Sequence, residues 1–405
     1  MKVLQINSVC GTGSTGRMTI DLGNVLQADG HESLIVYGRG THPEKVNGVK
    51  IGDVAQVNMH VLETRMLDLH GMGSRRATKQ LIKIINEYQP DIIQLHNIHG
   101  YYINIKILFE YLKQVSIPVV WILYDCWAFT GHCAYFDYEN CDKWLTGCYK
   151  CTLKHNYPKS LLLDNSTFNY KLKKSLFTGV AGLELIVHSH WLGDLVNRSF
   201  LQQYQINIIH NGIDLNVFKP LEDKRFRIKF GLEKDYLILG VSNIWEERKG
   251  LNYFLELSRC LSKNQKIILV GLSKEQKHAL PENIIGITHT TNVYELAEIY
   301  SSVDVFVNPT LDDNFPTTNL EALACGTPVI TFATGGSPES IDQSCGIVVD
   351  KGDFEGLKKA INDLSRMNID RETCVSRAAL FNKDLRYREY ISIYNRIMCE
   401  RGANK

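Results

Sequence analysis

The stretch Asp313-Asn314-Phe315-Pro316-Thr317-Thr318-Asn319-Leu320-Glu321-Ala322-Leu323-Ala324-Cys325-Gly326-Thr327-Pro328-Val329-Ile330 decides how this chain is read. A polar loop runs into Pro316, a residue suited to the first turn of a helix. Thr317 to Ala324 reads as that helix, Gly326 as its stop, and Thr327 to Ile330 as the entry into a buried strand. Eight positions separate Asp313 from Glu321, which places one carboxylate in the loop and the other about two turns up the helix. Between them lie free backbone N–H groups at a helix N-terminus, a ready site for a phosphate or diphosphate. Taken singly, each acid is indistinguishable from an ordinary solvated carboxylate. Taken together, hydroxyl acceptors beside a phosphate-binding helix end suit a nucleotide sugar.

Length and composition bound what surrounds this stretch. A chain of 405 residues predicts two or three domains, and 44% hydrophobic with 22% charged residues is ordinary for a globular protein. The formal charge of +1 argues against a dedicated nucleic-acid binder. No apolar run approaches a membrane span, and Met1 to Asn7 is too short and polar for a signal peptide. A reducing cytoplasm is therefore expected, with the 11 cysteines as thiols, metal ligands or reactive groups.

The N-terminal half alternates strands and helices. Val3 to Ile6 predicts a strand leading into Gly11-Thr12-Gly13-Ser14-Thr15-Gly16-Arg17. A helix carrying Met18, Leu22 and Leu26 follows, and Gly30 closes it before the strand Leu34 to Tyr37. That is a βαβ unit, although the glycines are no dinucleotide fingerprint, because no acid follows the second strand. Helices over Leu81 to Ile85 and Ile105 to Leu112 alternate with strands over Asp91 to His96 and Pro118 to Leu123. A parallel sheet with ligands beyond its carboxyl edge is implied. His96, His99, Tyr124 and Asp125 occupy that edge.

Directly after Asp125 the chain becomes cysteine-rich, with Cys126, Cys133, Cys141, Cys148 and Cys151. Cys148 and Cys151 have the C-x-x-C bite of a zinc site, and Cys133 with Cys141 could complete a structural tetrahedron. Cys126 or His132 are substitute ligands, and free thiols or a labile redox pair are the other readings. Lys154 to Lys174 is polar and basic, with Lys171, Lys173 and Lys174 close together. It reads as a solvated face, or as contact with an anionic membrane surface.

The C-terminal half repeats the α/β pattern. Strands are expected over Leu237 to Val241, Ile267 to Gly271 and Val303 to Val307, and an amphipathic helix capped by Asp353 carries Leu357, Ile361 and Leu364. Arg248 and Lys249 precede a helix carrying Leu251, Phe254, Leu255 and Leu257, where two cations could oppose a diphosphate. A last helix, Tyr387 to Met398, carries Tyr390, Ile391, Tyr394 and Ile397 on one stripe.

These motifs resemble the retaining glycosyltransferases of family 4. Glu321-Ala322, Gly326, Pro328-Val329-Ile330, Gly335-Gly336 and Glu339 match the trailing half of that family's paired-acid motif. Asp313 stands at the first acid, one methylene shorter than the usual glutamate, and Pro316 stands where glycine is common. Asn211-Gly212-Ile213-Asp214 looks like the family's crossing between domains. Lys249-Gly250 matches its Lys-Gly, whereas its usual arginine position is Asn243, so Arg248 is expected to substitute.

The resemblance implies an α/β fold of the GT-B architecture, two Rossmann-like domains facing across a cleft. The expected division is 1–206 for the acceptor domain with a cysteine-rich insertion at about 126–158, 207–385 for the nucleotide-sugar domain, and 386–405 for a helix returning to the first. It implies transfer of a sugar from a nucleotide diphospho-sugar, UDP favoured and GDP second, to a glycan or lipid-linked acceptor in polysaccharide synthesis. No catalytic metal is implied. Asp313 is expected to hold donor-sugar hydroxyls and Glu321 the ribose. Arg248, Lys249, Thr317 and Thr318 take the diphosphate, Gly16 closes over it, and Asp125 orients the acceptor. The alternative is a degenerate nucleotide-sugar-binding partner protein, and peripheral contact with the inner face of the plasma membrane is possible in either case.

Overall fold

Short runs of β-branched and aliphatic residues without polar alternation become strands buried on both faces, as in parallel sheets covered by helices. A computed structural model describes residues 1–41, 46–222, 225–367 and 369–403. The chain divides into two units, one of Met1–Ile209 together with the residues from Tyr387 onward, the other of His210–Arg386.

The first unit holds β1 (Lys2–Val9), β2 (Glu32–Arg39), β3 (Gly48–Lys50), β4 (Ile92–Leu95), β5 (Val119–Leu123), β6 (Leu183–Val187) and β7 (Gln205–Ile208). Their order is β3-β2-β1-β4-β5-β6-β7, all parallel, with Leu4 opposite both Leu34 and Ile93. The strand order reverses between β1 and β4, so the crevice of this sheet opens at their carboxyl ends. The second unit holds β8 (Tyr236–Val241), β9 (Gln265–Val270), β10 (Ile284–Ile287), β11 (Val305–Asn308), β12 (Val329–Phe332) and β13 (Gly346–Val349). Its order, β10-β9-β8-β11-β12-β13, is again parallel and again reverses, between β8 and β11. Both units are Rossmann-like.

From Tyr387 onward the terminal helix, Lys383–Ala403, packs in the first unit. Tyr387, Tyr390, Ile391, Tyr394 and Ile397 join Val3, Leu22, Leu26, Ile92, Val120, Ile122 and Ile186 in one core. The Tyr394 hydroxyl donates to Gln94 Oε1 at 2.6 Å, which satisfies two polar groups buried by that packing. Asn404 and Lys405, the end of the stretch expected to return, lie outside the described residues.

Some local expectations need correcting. The first helix begins at Gly13, so Gly16 lies inside it and not in the loop before it. Gly16 is needed there for packing, because a Cβ would come 3.1 Å from both the Gly11 nitrogen and Val9 Cγ2. Helix Val54–Leu67 carries no sequence signal, because it buries only His60 and Thr64 and has no apolar stripe. The Asn-Gly-Ile-Asp stretch docks on the start of the terminal helix. Lys383 Nζ reaches Asp214 Oδ2 at 2.6 Å, and a Cβ on Gly212 would lie 2.5 Å from Lys383 Cα. The irregular segment after Pro220 includes a short helix, Arg225–Phe230.

Lys171 and Lys174 are exposed as expected on helix Ser166–Phe177, but Lys173 is buried. Its Nζ donates to the Trp127 carbonyl at 2.7 Å and the Thr130 carbonyl at 3.2 Å, and lies 3.6 Å from the Trp127 ring centroid. Desolvation lowers its pKa to about 7. Helix periodicity puts Lys173 on the same side as Tyr170, Leu176 and Phe177, whereas its charge alone reads as exposure.

Burial also keeps histidines of this unit neutral. His60 is held at about 4 and His96 at about 3, against an ordinary 6.5. His60 Nε2 accepts from the Gly71 and Gly73 amides at 3.1 and 3.3 Å, which leaves no room for a second ring proton. The unfolded chain takes up these protons near pH 6.5 while the folded chain refuses them. The stability they confer is therefore complete above pH 6.5 and is lost as pH falls towards the folded values, at up to about 1.4 kcal/mol per pH unit for each group. The urea midpoint is expected to drop between pH 7 and pH 5; a midpoint independent of pH over that range contradicts this.

Candidate active site

In the second unit the crevice is built by the segments leaving β8 and β11. After β8 the chain makes a tight turn, Glu247–Lys249, into helix Leu251–Leu257. Gly250 between them has φ +76°, and a Cβ there would lie 2.2 Å from the Pro309 carbonyl oxygen, so only glycine lets this turn approach the loop after β11. The contact is stitched by the Leu311 amide, which donates to the Arg248 carbonyl at 2.7 Å.

Lys249 is thereby aimed at Asp313, and its ammonium donates to Asp313 Oδ2. Arg248 lies back along the same loop, with Nη1 on the Asp312 carbonyl at 3.0 Å and Nε on Glu246 Oε2 at 3.2 Å. The loop after β12 fixes the other side of Asp313. Gly335 has φ +56°, and a Cβ there would fall 1.7 Å from the Asp313 carbonyl oxygen. The Gly336 amide donates to the Asn314 carbonyl at 2.9 Å.

Helix Thr317–Ala324 starts after Pro316, which is the capping residue and not the first helical one. Glu321 therefore lies about one turn up the helix and not two, because Asp313 to Pro316 is all loop. Glu321 Oε2 accepts from the Tyr300 hydroxyl at 3.0 Å, and Oε1 lies 3.5 Å from Thr317 Oγ1. Tyr300 is fully buried, and desolvation, then Glu321 itself, pushes its pKa well up, so it stays a donor. Thr317 and Thr318 are half-buried at the helix start, and Asn243 is exposed on the loop after β8.

Asn319 is a residue that motif reading passed over. It is fully buried, accepts from Asn308 Nδ2 at 2.8 Å, and donates to Ser340 Oγ at 2.9 Å and Ser337 Oγ at 3.1 Å. One side chain thus ties the helix to the end of β11 and to the turn Ser337–Ser340. A polar residue between Thr318 and Leu320 on a helix this short was the available signal. Lys249, Asp313, Thr317 and Glu321 so come to one loop and one helix start, an arrangement able to meet a diphosphate with cations and amides and hydroxyls with carboxylates.

In the first unit the carboxyl edge carries Asp125 just beyond β5. Its Oδ1 accepts the Trp127 amide at 2.9 Å, and its Oδ2 meets His99 Nε2 at 3.0 Å. The Tyr157 hydroxyl is 2.8 Å from His99 Nδ1. His96 is different, held in the interior between Tyr124 Oη at 2.8 Å and Gln5 Oε1 at 2.9 Å. Of the two strand-end histidines, His99 is the one that holds Asp125. Tyr157, at the far end of the cysteine-rich segment, carried no sequence signal for this contact.

The cysteine-rich segment has little regular structure, three single turns at Trp127–Phe129, Asp137–Glu139 and Lys143–Leu145. Phe129, Phe136 and Trp144 pack together, and the segment joins the main core of the unit. Cys148 Sγ accepts the Gly131 amide at 3.1 Å. A hydrogen bond from Cys133 lowers the Cys151 thiol to about 7, and the same bond, with burial, raises Cys133. Among the described residues, no three of the sulfurs of Cys133, Cys141, Cys148 and Cys151 lie within 4.8 Å of one another.

Known proteins resemble the chain over both units. The family described as "Glycosyltransferase Family 4" matches residues 15–217, and "Glycosyl transferases group 1" matches residues 235–367. The putative colanic acid biosynthesis glycosyl transferase WcaC of Escherichia coli (strain K12) is 26% identical over 365 residues, covering 86% of this chain and 87% of that protein. Among solved structures, sucrose-phosphate synthase from Thermosynechococcus elongatus superposes with a TM-score of 0.75 at 17% identity, over 98% of this chain and 99% of the other. HepE from Anabaena, solved in complex with UDP, superposes with a TM-score of 0.67 at 14% identity, over 98% of this chain and 100% of the other. These likenesses show the two-domain fold of GT-B glycosyltransferases. With half its length matching one family and its remaining strands folded as that family's second domain, the chain belongs to glycosyltransferase family 4.

Proposed function

We propose that this glycosyltransferase transfers a sugar, with retention, from a nucleotide diphospho-sugar to a glycan or lipid-linked acceptor in polysaccharide synthesis. UDP-sugars are the favoured donors and GDP-sugars the second choice. The observation that carries the reading is the placement of Lys249, Asp313 and Glu321 around one helix start, at the point where the second sheet reverses its order. Lys249, Arg248 and the helix end at Thr317 and Thr318 meet the charge that develops on the diphosphate as it leaves, the role a metal has elsewhere. Glu321 accepts ribose hydroxyls, Asp313 the hydroxyls of the donor sugar, and Asn243 borders the phosphates. On the first unit, Asp125 is assigned to orient the acceptor.

The retaining course follows from the family resemblance, and the carboxylates bear only on how it would be achieved. Asp313 is tied to Lys249 and Glu321 to Tyr300, so neither is placed as a free nucleophile for double displacement. The acceptor then attacks the face the diphosphate leaves. The naming of WcaC for colanic acid and the UDP-glucose complex of HepE support the choice of pathway class and nucleotide. The test is the anomeric configuration of the product by proton NMR, expected to equal that of the donor; an inverted product overturns the reading.

A zinc ion held by Cys133, Cys141, Cys148 and Cys151 is proposed as a staple for the cysteine-rich segment. Tetrahedral thiolates around zinc stand about 3.8 Å apart with Zn–S about 2.3 Å, closer than any three of these sulfurs lie to one another here, so binding the ion would have to draw the segment together. Elemental analysis of reduced full-length protein is expected to show about one zinc per chain, lost in Cys148→Ser. Absence of zinc, with all four thiols open to alkylation, contradicts it.

A further inference from the structure

Arg39 is the last residue of β2, at the carboxyl edge of the first sheet. Its Nε is buried and has no hydrogen-bond partner among the described residues, and no ion pair to its guanidinium is formed among them. A guanidinium half out of water with a donor unused is costly, and native structures rarely leave one so. The backbone has been shaped to admit it. Gly100 has φ +121°, and a Cβ there would lie 3.3 Å from Arg39 Nη2 and 2.9 Å from Ser8 Cβ. The next residue, Tyr101, has φ 70°, a left-handed conformation that an aromatic residue adopts only where its surroundings impose it.

Next to Gly100 stands a cluster of rings, of which Tyr101 and Tyr157 lie within the field of the Arg39 charge. The His70 ring lies 4.9 Å from Tyr101, 5.7 Å from His99 and 5.8 Å from Tyr157, centroid to centroid. His70 is itself buried, and neither ring nitrogen has a partner among the described residues. Desolvation pushes its pKa well down, so it is neutral and offers one lone pair and one N–H. Tyr157 is 41% exposed while its hydroxyl is held by His99. Asp125, whose charge reaches Tyr157 as that of Arg39 does, has each oxygen engaged, by the Trp127 amide and by His99, and forms no ion pair with Arg39.

We propose that the acceptor carries an anionic group, a carboxylate or a phosphate, which Arg39 binds, and that the Tyr101 and Tyr157 rings wall the sugar that bears it. The inference rests on the glycosyltransferase reading above and adds the chemical class of the acceptor. A planar guanidinium forks onto carboxylate or phosphate oxygens, and aromatic faces take the C–H side of a pyranose.

The test uses full-length protein saturated with UDP, so that the nucleotide site is filled, titrated calorimetrically with glucose, glucuronate and glucose 1-phosphate. Glucuronate or glucose 1-phosphate is expected to bind at least about tenfold more tightly than glucose. Preference for glucuronate alone assigns a carboxylate, for glucose 1-phosphate alone a phosphate. Arg39→Gln is expected to erase the preference and Arg39→Lys to restore part of it. Because the guanidinium of Arg39 makes no hydrogen bond or ion pair among the described residues, UDP binding and Tm should stay as in the wild type. Equal binding of neutral and acidic sugars, binding of none of the three, or a preference that survives Arg39→Gln overturns the inference. Failure of UDP itself to bind would overturn the donor reading instead.

Discussion

Lys249→Ala is expected to lower kcat by about 10²–10³ at saturating donor, the loss typical of removing one positioned charge from a developing anion. Two effects add. The ammonium that meets the diphosphate disappears, and Asp313, which that ammonium engages, is left as an uncompensated carboxylate beside the leaving group. Asp313→Asn should lower turnover less, because the amide keeps a hydroxyl acceptor and Lys249 is released towards the phosphates. The fold should survive both changes, since neither side chain is fully buried and the turn that carries Lys249 is fixed by Gly250 and the Leu311 amide. Steady-state release of nucleoside diphosphate measures the effect. A change of less than about twofold in kcat for Lys249→Ala is incompatible with its assigned role.

Glu321→Gln is expected to act on binding. Exchanging a charged acceptor for a neutral one at a hydroxyl contact costs about 1–1.5 kcal/mol, which raises the donor KM by about five- to tenfold. kcat should change little, because the ribose lies away from the bond that breaks. Tm should be unchanged, since the amide carbonyl introduced by Glu321→Gln can still accept from the buried Tyr300 hydroxyl. Glu321→Ala removes that acceptor too, and so should also lose about 1–3 kcal/mol of stability. Loss of kcat with an unaltered KM in Glu321→Gln would place this carboxylate at the reacting sugar and not at the ribose.

How far the sequence can be read depends on how local the governing interaction is. The strand Val119–Leu123 and the helix Ile105–Leu112 were legible because aliphatic periodicity states burial directly. The turn of Lys249 and Gly250 was legible through a motif, and Gly335 has a steric reason that the motif did not state. Asp125 stands at a strand end as its sequence position implies, but its neighbour through His99, Tyr157, was invisible. A contact between a sheet edge and an irregular segment leaves no periodicity in either. Lys173 and Asn319 were missed for the opposite reason. Each sits on a buried helix face, where charge or polarity reads as exposure unless its distant partners, Trp127 and Thr130 or Asn308, Ser337 and Ser340, are already known. The weak amphipathicity of Val54–Leu67 hid a whole helix, because what anchors it is the polar contacts of His60 and not an apolar stripe.

The most direct measurement is release of nucleoside diphosphate from a panel of UDP-, GDP- and ADP-sugars by wild type, Lys249→Ala and Glu321→Gln in parallel. One donor, a UDP-sugar first, is predicted to be turned over by the wild type, at lower kcat by Lys249→Ala and at higher KM by Glu321→Gln. Turnover of that donor at wild-type rates by both variants, or of no donor by the wild type with acceptors supplied, would contradict the site described for the second unit.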